Sequence, residues 1–225
     1  VLALQRELRE GRYRPGPSAS FTIHDPKTRE ISAAPFGDRV VHHALIDPLE
    51  PMLDRRLIAN SHACRRGKGQ HRAVRCAQRL LRRHAFFLKL DVKSFFPSLR
   101  HDVVMATIGR IVGDRAALAL FEVIVRAGGE NGVGLPIGNL TSQWLANLVL
   151  GGLDRFVLGA LRIPGYVRYM DDFVLFADDR AALRDAQVAI AGWLGAHALR
   201  LKDTATILAP AHAGLPFCGF AIHRG

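Results

Sequence analysis

The stretch RYMDDFVLFADD, residues 168–179, places two adjacent aspartates inside an otherwise apolar and aromatic run. The flanking segments VRYM and FVLF alternate as strands do, so Asp171 and Asp172 fall at a tight turn between them. One aspartate is common in such a turn, because its side chain tolerates turn conformations. Two are harder to explain, since like charges repel and their burial needs compensation. A divalent cation supplies that compensation, and Mg²⁺ prefers carboxylate oxygens.

A third carboxylate, Asp91, ends the apolar stretch FFLKL, which has strong strand character. It lies far enough ahead of Asp171 in the chain for the two strands to be neighbours in one sheet. Three carboxylates at one sheet edge suit a two-metal site, in which ions about 3.5–4 Å apart serve the attacking and leaving oxygens.

Several segments, in order, resemble the motifs of one family, the reverse transcriptases. LKLDVKSFFPSL resembles the first palm motif, GLPIGNLTSQWLAN the second and YMDD the third. FTIHDPKTREISAAPFGDRVVHHAL resembles a fingers motif of the bacterial, group II intron-like branch, and SHACRRGKG resembles the next one. LPFCGFAI resembles the primer-grip strand. A lone YxDD is a weak pattern, but this ordered set covers nearly the whole chain.

The resemblance implies an α+β fold with the fingers and palm of a right-hand polymerase. We expect the fingers, a hairpin plus helices, in residues 1–85. We expect the palm, an antiparallel sheet packed on helices, in residues 86–225, including finger-contacting helices around 101–128. The family normally continues into a helical thumb, which is absent from this chain, so we expect a fingers–palm piece with weak or no activity alone.

The resemblance also implies a catalytic set. Asp91 and Asp171, with Asp172 alongside, would bind two Mg²⁺ ions, for which Mn²⁺ can substitute, and the Val92 carbonyl would be an extra ligand. The reaction would be in-line attack of a primer 3′-hydroxyl on a dNTP, with pyrophosphate leaving. Lys202 would protonate the pyrophosphate, although Lys-Asp-Thr stands here where the family often has Lys-Thr.

Three further residues resemble family residues that contact the incoming nucleotide. Phe96 holds the position of a bulky residue that excludes the ribose 2′-hydroxyl, although it could instead be a core residue. Lys27 and Arg29, on the fingers hairpin, resemble the basic pair over the triphosphate, since arginine gives bidentate and lysine single-point phosphate contacts. The alternative for that pair is a solvated hairpin tip.

Template and primer contacts are expected from a basic, glycine-bearing loop and from the YMDD turn. Arg65, Arg66 and Lys68 suit contact with a template backbone, which would make binding salt-dependent. An exposed basic loop without a ligand is the alternative. Tyr169 and Met170 would lie beside the primer terminus.

The second palm motif narrows the subtype. Most relatives have Gln after Leu-Pro and end the motif with Ser-Pro, whereas this chain has Ile137-Gly138 and Ser142-Gln143. This form resembles diversity-generating retroelements, whose enzymes copy RNA with errors opposite adenine and work with a small basic accessory protein. With Gln143 also at the nucleotide site, an apolar Ile137 would lose a polar contact worth about 1 kcal/mol. Alternatively, Ile137 only packs, and another group checks the base pair. The alternative subtypes are a group II intron, retron or defence-associated reverse transcriptase.

Composition agrees with a nucleic-acid partner. The 225 residues carry 31 Lys and Arg against 20 Asp and Glu, a net charge of +11, which favours a polyanion. An arginine bias from a GC-rich genome is the alternative. No run approaches the ~18 apolar residues that cross a membrane, and three cysteines suit a reducing compartment, so we expect a cytoplasmic protein. The resemblance to the bacterial branch implies a bacterial or phage origin.

Other functions remain open from the residues alone. The chain could be a nucleic-acid-binding scaffold with a degenerate polymerase fold, although three clustered acids argue against it. Another two-metal enzyme, such as a nuclease, is a further alternative. A zinc site is disfavoured, because the spacing of His and Cys residues does not match a paired Cys-x-x-Cys knuckle. Those residues are His62, Cys64, His71 and Cys76.

Two local features are also predicted. A helix in RVVHHALIDPLEPMLD should have Asp38 as its N-cap and be interrupted at Pro48 and Pro51. A later helix in RAALRDAQVAIAGWLGAHAL should have Asp178 or Asp179 as its N-cap.

Overall fold

The structure, a computed structural model, describes residues 2–24 and 29–224. The chain forms two compact units that interleave along the sequence. The first contains residues 1–53 and 96–146, and the second contains residues 54–95 and 147–225. The boundary expected from the sequence lies after residue 85, and the assignment of fingers and palm to these segments stays a prediction.

Helices and strands alternate irregularly along the chain, as expected for an α+β fold. The helices are α1 (Leu2–Arg9), α2 (Phe36–Asp54), α3 (Gln70–Arg83), α4 (Phe95–Ser98), α5 (His101–Gly109), α6 (Arg115–Arg126), α7 (Leu140–Arg155) and α8 (Arg180–Ala196). The strands are β1 (Ala19–Ile23), β2 (Arg29–Ala33), β3 (Phe86–Asp91), β4 (Gly165–Tyr169), β5 (Asp172–Ala177), β6 (Ile207–Pro210), β7 (Leu215–Phe217) and β8 (Phe220–Ile222).

Helix α2 departs from the sequence prediction in two ways. It begins at Phe36, so Asp38 lies inside the first turn and is not the N-cap. The Asp38 carboxylate instead accepts hydrogen bonds from the Tyr13 hydroxyl and the Gly16 backbone N–H, each at 2.8 Å. The helix also continues through Pro48 and Pro51. Packing of the buried apolar face of α2 compensates for the free energy lost with the backbone hydrogen bonds that the prolines remove.

The second unit is built around a four-stranded antiparallel sheet with strand order β4-β5-β3-β6. Helix α3 packs its apolar face against one side of this sheet, where Phe87, Val174 and Phe176 are fully buried. Side chains alternate between the faces of a strand, so Asp91 lies on the same face as Phe87. The row of side chains on this face of β3 therefore ends in the Asp91 carboxylate, at the end of the strand.

Two smaller features complete the second unit. Strands β7 and β8 form a hairpin whose turn residues, Cys218 and Gly219, both have positive φ, the backbone required by a type I′ turn. Asp179 caps α8 by accepting a hydrogen bond from the Ala181 backbone N–H at 2.7 Å, which confirms one of the two predicted caps. In residues 2–24 and 29–224, no helix is both long and apolar enough to cross a bilayer.

Candidate active site

Two of the three predicted catalytic aspartates meet where β3 and β5 pair, and the third, Asp171, directly precedes β5. Asp91, the last residue of β3, is the register partner of Asp172, the first residue of β5. Tyr169 also pairs with Asp172, so Met170 and Asp171 form the two-residue connection between β4 and β5. Directly opposed residues on antiparallel strands have Cβ atoms about 4.5–5.5 Å apart. Two strands that are distant in sequence therefore place the Asp91 and Asp172 side chains next to each other.

Backbone hydrogen bonds fix both sides of this point. The Val92 N–H donates to the Asp171 carbonyl at 3.2 Å, which extends the β3–β5 pairing beyond the strands. The Lys202 N–H donates to the Asp91 carbonyl at 2.8 Å. Lys202 is therefore a backbone neighbour of Asp91, and its side chain is partly exposed. Its role as a proton donor stays a prediction.

The Asp172 carboxylate has a cationic partner that the sequence analysis missed. The Lys89 Nζ atom lies 2.8 Å from Asp172 Oδ1, and both side chains are largely buried. Burial raises the pKa of Asp172, Lys89 opposes that shift, and the nearby charge of Asp91 adds to it. The sequence does contain a signal for this ion pair, because Lys89 lies two residues before Asp91 and therefore shares its face of the strand.

The donor chemistry of this edge fits a hard divalent cation. Asp91 and Asp172 are paired beside the Lys89 ammonium, and Asp171 directly precedes Asp172 in the chain. Carboxylate oxygens are the ligands that Mg²⁺ prefers, and Asp91 is buried. The described part of the chain nevertheless contains no group of three or more His, Cys, Asp or Glu side chains already arranged around a metal position. The metal site therefore stays a prediction.

The two residues before the aspartates are constrained as well. Met170 is buried and adopts a left-handed backbone conformation with φ 55°. Burial raises the pKa of Tyr169, to which the neighbouring thiols of Cys64 and Cys218 contribute. The pKa of the Cys218 thiol is raised to about 12 by burial and by the Asp172 charge. The β7–β8 turn therefore lies beside Asp172.

In the predicted template loop, the Arg65 side chain is buried and has partners within the protein. The Arg65 side chain is 4% exposed, and its Nε atom donates to Asp54 Oδ1 at 2.6 Å. Its Nη1 atom donates at 2.7 Å to the carbonyls of Ile58 and Ser61. Arg65 thus orders its own loop, and contact of its guanidinium with a template stays a prediction.

The other two cations of this loop differ from Arg65. Lys68 donates to the Ala59 carbonyl at 2.8 Å in an exposed setting. Arg66 is exposed. Template contact by these two residues stays a prediction.

The predicted nucleotide contacts belong to the first unit, apart from Lys27, which lies outside the described residues. Arg29 is described as the first residue of β2. Phe96 and Gln143 are half-buried. The Ile137 carbonyl accepts a hydrogen bond from the Ser32 N–H at 2.9 Å, which attaches the second palm motif to the β1–β2 hairpin.

Comparisons with known proteins agree with these motifs. The pattern of the family described as reverse transcriptase (RNA-dependent DNA polymerase) matches residues 23–219. The chain is similar to the putative COX1/OXI3 intron 1 protein of Saccharomyces cerevisiae, with 26% identity over 68% of this chain and 20% of that protein. It is also similar to group II intron-encoded protein LtrA of Lactococcus lactis subsp. cremoris, with 26% identity over 68% of this chain and 27% of that protein. The chain thus spans well under a third of either relative.

A solved structure supports the fold. Apo telomerase from Candida tropicalis matches 94% of this chain and 48% of its own, with a TM-score of 0.64 and 13% sequence identity. At that identity the likeness concerns the fold alone, and it agrees with the polymerase-type fold predicted from the motifs. Because the family pattern matches most of its length, the chain belongs to the reverse transcriptase (RNA-dependent DNA polymerase) family.

Proposed function

We propose that this chain is the polymerising part of an RNA-directed DNA polymerase that adds dNTPs to a primer 3′-hydroxyl on an RNA template. The observation that carries the proposal is the register of Asp91 with Asp172, which brings residues from two remote strands to one sheet edge. Family membership supports the reaction class. In such a reaction, positioning and charge neutralisation supply most of the catalysis.

In this proposal Asp91 and Asp171 are the principal metal ligands, and Asp172 is held beside them by Lys89. Bound magnesium would neutralise charge on the triphosphate and on the attacking oxygen. The residues of the chain supply the geometry, because Asp91 and Asp172 sit on paired strands, Asp171 directly precedes β5, and the nearby backbone is fixed at Val92 and Lys202. Within the same proposal, Phe96 selects deoxyribose, while Lys27 and Arg29 contact the triphosphate.

The distribution of charge supports RNA template and DNA or RNA primer as partners. Residues 55–90 contain eleven Lys and Arg and no Asp or Glu, which equals the net charge of +11 of the whole chain. Five of these cations project from the exposed face of α3: Arg72, Arg75, Arg79, Arg82 and Arg83. Like charges one turn apart weaken a helix by about 0.2–0.5 kcal/mol per pair. A polyanionic ligand would offset that cost.

Primer extension tests the proposal. The chain is supplied with any missing partner, an RNA template, an annealed DNA primer, dNTPs and Mg²⁺, and extension is followed on a denaturing gel. We expect extension by the wild type and at least a 1000-fold loss in Asp91→Asn and Asp171→Asn, with both variants keeping the wild-type circular dichroism spectrum. Undiminished extension by either variant would refute the assignment, and cleavage of nucleic acid without dNTPs would support a nuclease instead.

We further propose that the enzyme belongs to a diversity-generating retroelement and copies adenines with low fidelity. The motif form at Ile137-Gly138 and Ser142-Gln143 supports this subtype. An intron-encoded enzyme is the second candidate, favoured by the intron-encoded relatives. Misincorporation opposite template adenine should fall severalfold in Ile137→Gln, whereas errors opposite other bases should change less. An unchanged adenine error rate would contradict the role of Ile137.

The remaining partners follow from the same subtype. We propose a small basic accessory protein, whose binding would be tested by co-purification with the chain. The three cysteines are free thiols, which suits a cytoplasmic location in a bacterium.

A further inference from the structure

One buried arginine beside the β4–β5 connection has no role in the proposed function. Arg168 lies in β4, three residues before Asp171, and its side chain is completely buried. Its Nε and Nη2 atoms each donate at 2.7 Å to a different oxygen of the Asp154 carboxylate. Asp154, on α7, is completely buried as well. The two side chains therefore form a bidentate ion pair inside the protein.

The remaining donors of the same guanidinium are also engaged. Its Nη1 atom donates to Asn147 Oδ1 at 2.8 Å, and Nη2 donates to the Asn147 carbonyl at 3.3 Å. Nη1 also donates to the Met170 carbonyl at 3.1 Å. An arginine side chain has five N–H donors, so all five have acceptors. The position of this guanidinium is therefore determined from three directions.

The acceptors are held in turn by their own contacts. The Asn147 Nδ2 atom donates to the Ala63 carbonyl at 2.8 Å. The Tyr166 hydroxyl donates to Asp154 Oδ1 at 2.8 Å. Stability alone does not explain such a network, because replacing a buried ion pair by apolar residues of similar volume is often neutral or stabilising.

The contact with Met170 gives the network a specific target. Met170 has φ 55°, a left-handed conformation that costs a residue other than glycine about 1 kcal/mol or more. Its carbonyl belongs to the peptide that joins Met170 to Asp171. Arg168 therefore holds the peptide before Asp171, while the Val92 N–H holds the carbonyl after it at 3.2 Å. The two hydrogen bonds fix the backbone from which the Asp171 carboxylate projects.

We propose that Arg168 is a positioning residue that holds the Met170–Asp171 peptide so that the Asp171 carboxylate is oriented for metal binding. Asp154 and Asn147, on α7, hold Arg168 in place. This inference rests on the proposed role of Asp171. Displacement of a catalytic group by about 1 Å can reduce a rate by about 100-fold, so loss of this hydrogen bond should be visible in turnover.

The main test is the double substitution Arg168→Met with Asp154→Leu. It removes both buried charges together, so the chain should still fold, but a methionine cannot donate to the Met170 carbonyl. We expect kcat for primer extension to fall at least 30-fold, the KM for dNTP to change less than threefold, and the Mg²⁺ concentration for half-maximal rate to rise at least fivefold. A folded double variant with wild-type kcat and Mg²⁺ dependence would overturn the proposal.

Two further variants make the result specific. Tyr166→Phe removes another hydrogen bond to the same Asp154 oxygen but leaves the Arg168–Met170 contact, so it should keep wild-type kcat and Mg²⁺ dependence. If the double variant does not fold, Arg168→Lys decides the question. A lysine keeps the charge opposite Asp154 but lacks the planar fork, so kcat should fall at least tenfold. Full activity in Arg168→Lys would refute the positioning role.

The same experiments separate this inference from the function on which it rests. If Asp171→Asn extends primers normally, the proposed catalytic site is wrong. If Asp171→Asn is inactive while the folded double variant behaves as the wild type, the site is right and Arg168 serves only the fold. A loss of kcat in Tyr166→Phe equal to that in the double variant would also contradict the specific role of the Met170 contact.

Discussion

Substitution of Lys89 by methionine should destabilise the fold by about 2–3 kcal/mol. Breaking a fully buried ion pair on one side costs about 3–5 kcal/mol, whereas exposed pairs contribute about 0–1 kcal/mol. The Lys89 and Asp172 side chains are 11% and 22% exposed, so the expected cost lies toward the buried limit. Methionine preserves most of the side-chain volume, so the loss reports on the uncompensated Asp172 carboxylate.

Urea denaturation followed by circular dichroism, at neutral pH with EDTA, measures this cost without interference from metal ions. The double variant Lys89→Met with Asp172→Asn should recover at least half of the loss, because no buried charge remains. As a matched control, Arg126→Gln removes an exposed i,i+4 partner of Glu122 and should leave the unfolding free energy unchanged. The reasoning fails if the unfolding free energy of Lys89→Met lies within about 0.5 kcal/mol of the wild-type value and both proteins have the same denaturant slope.

Three further outcomes are expected. Gly129→Ala should destabilise the fold by more than about 2 kcal/mol, because Gly129 has φ +70° and an added Cβ would lie 2.0 Å from the Val133 carbonyl oxygen. Gly109→Ala is the control: it has open space around the added Cβ, so it should be neutral in the same denaturation assay. Burial and nearby cations lower the pKa of His62 to about 4. Since the unfolded value is about 6.5, stability should be fully present above pH 6.5 and decrease by about 2–3 kcal/mol as pH falls to 4, a loss that His62→Leu should reduce. Phe96→Ala should raise ribonucleotide incorporation at least tenfold in primer extension, and no increase would contradict its proposed role.

Much of the sheet could be predicted from sequence, because apolar strands that end in charge are a strong local signal. The β4–β5 hairpin and the convergence of β3 on it follow from FFLKLD and YMDDFVLF. The partners of buried charges could not be predicted in the same way. Arg168 stands in an apolar strand, which signals that an anion must lie opposite, but only the fold identifies Asp154 on α7.

Local rules failed where tertiary contacts outweighed them. Asp38 has the residue type and place of an N-cap, yet the Tyr13 hydroxyl, which is distant in sequence, takes its carboxylate into the core. Arg65 is expected to contact a template because it lies in a basic, glycine-bearing loop, and that position in the sequence does not predict its burial. Its guanidinium instead satisfies carbonyls of that loop, a use of arginine that composition does not reveal.

Metal binding by the complex of chain, primer–template and a non-reactive dNTP analogue tests the central claim most directly. Mn²⁺ titration followed by electron paramagnetic resonance counts the bound ions. We expect two ions for the wild type and the loss of at least one in Asp91→Asn and in Asp171→Asn, with the nucleic acid still bound. Equal Mn²⁺ stoichiometry and affinity in all three proteins would contradict the assignment of these carboxylates as the metal ligands.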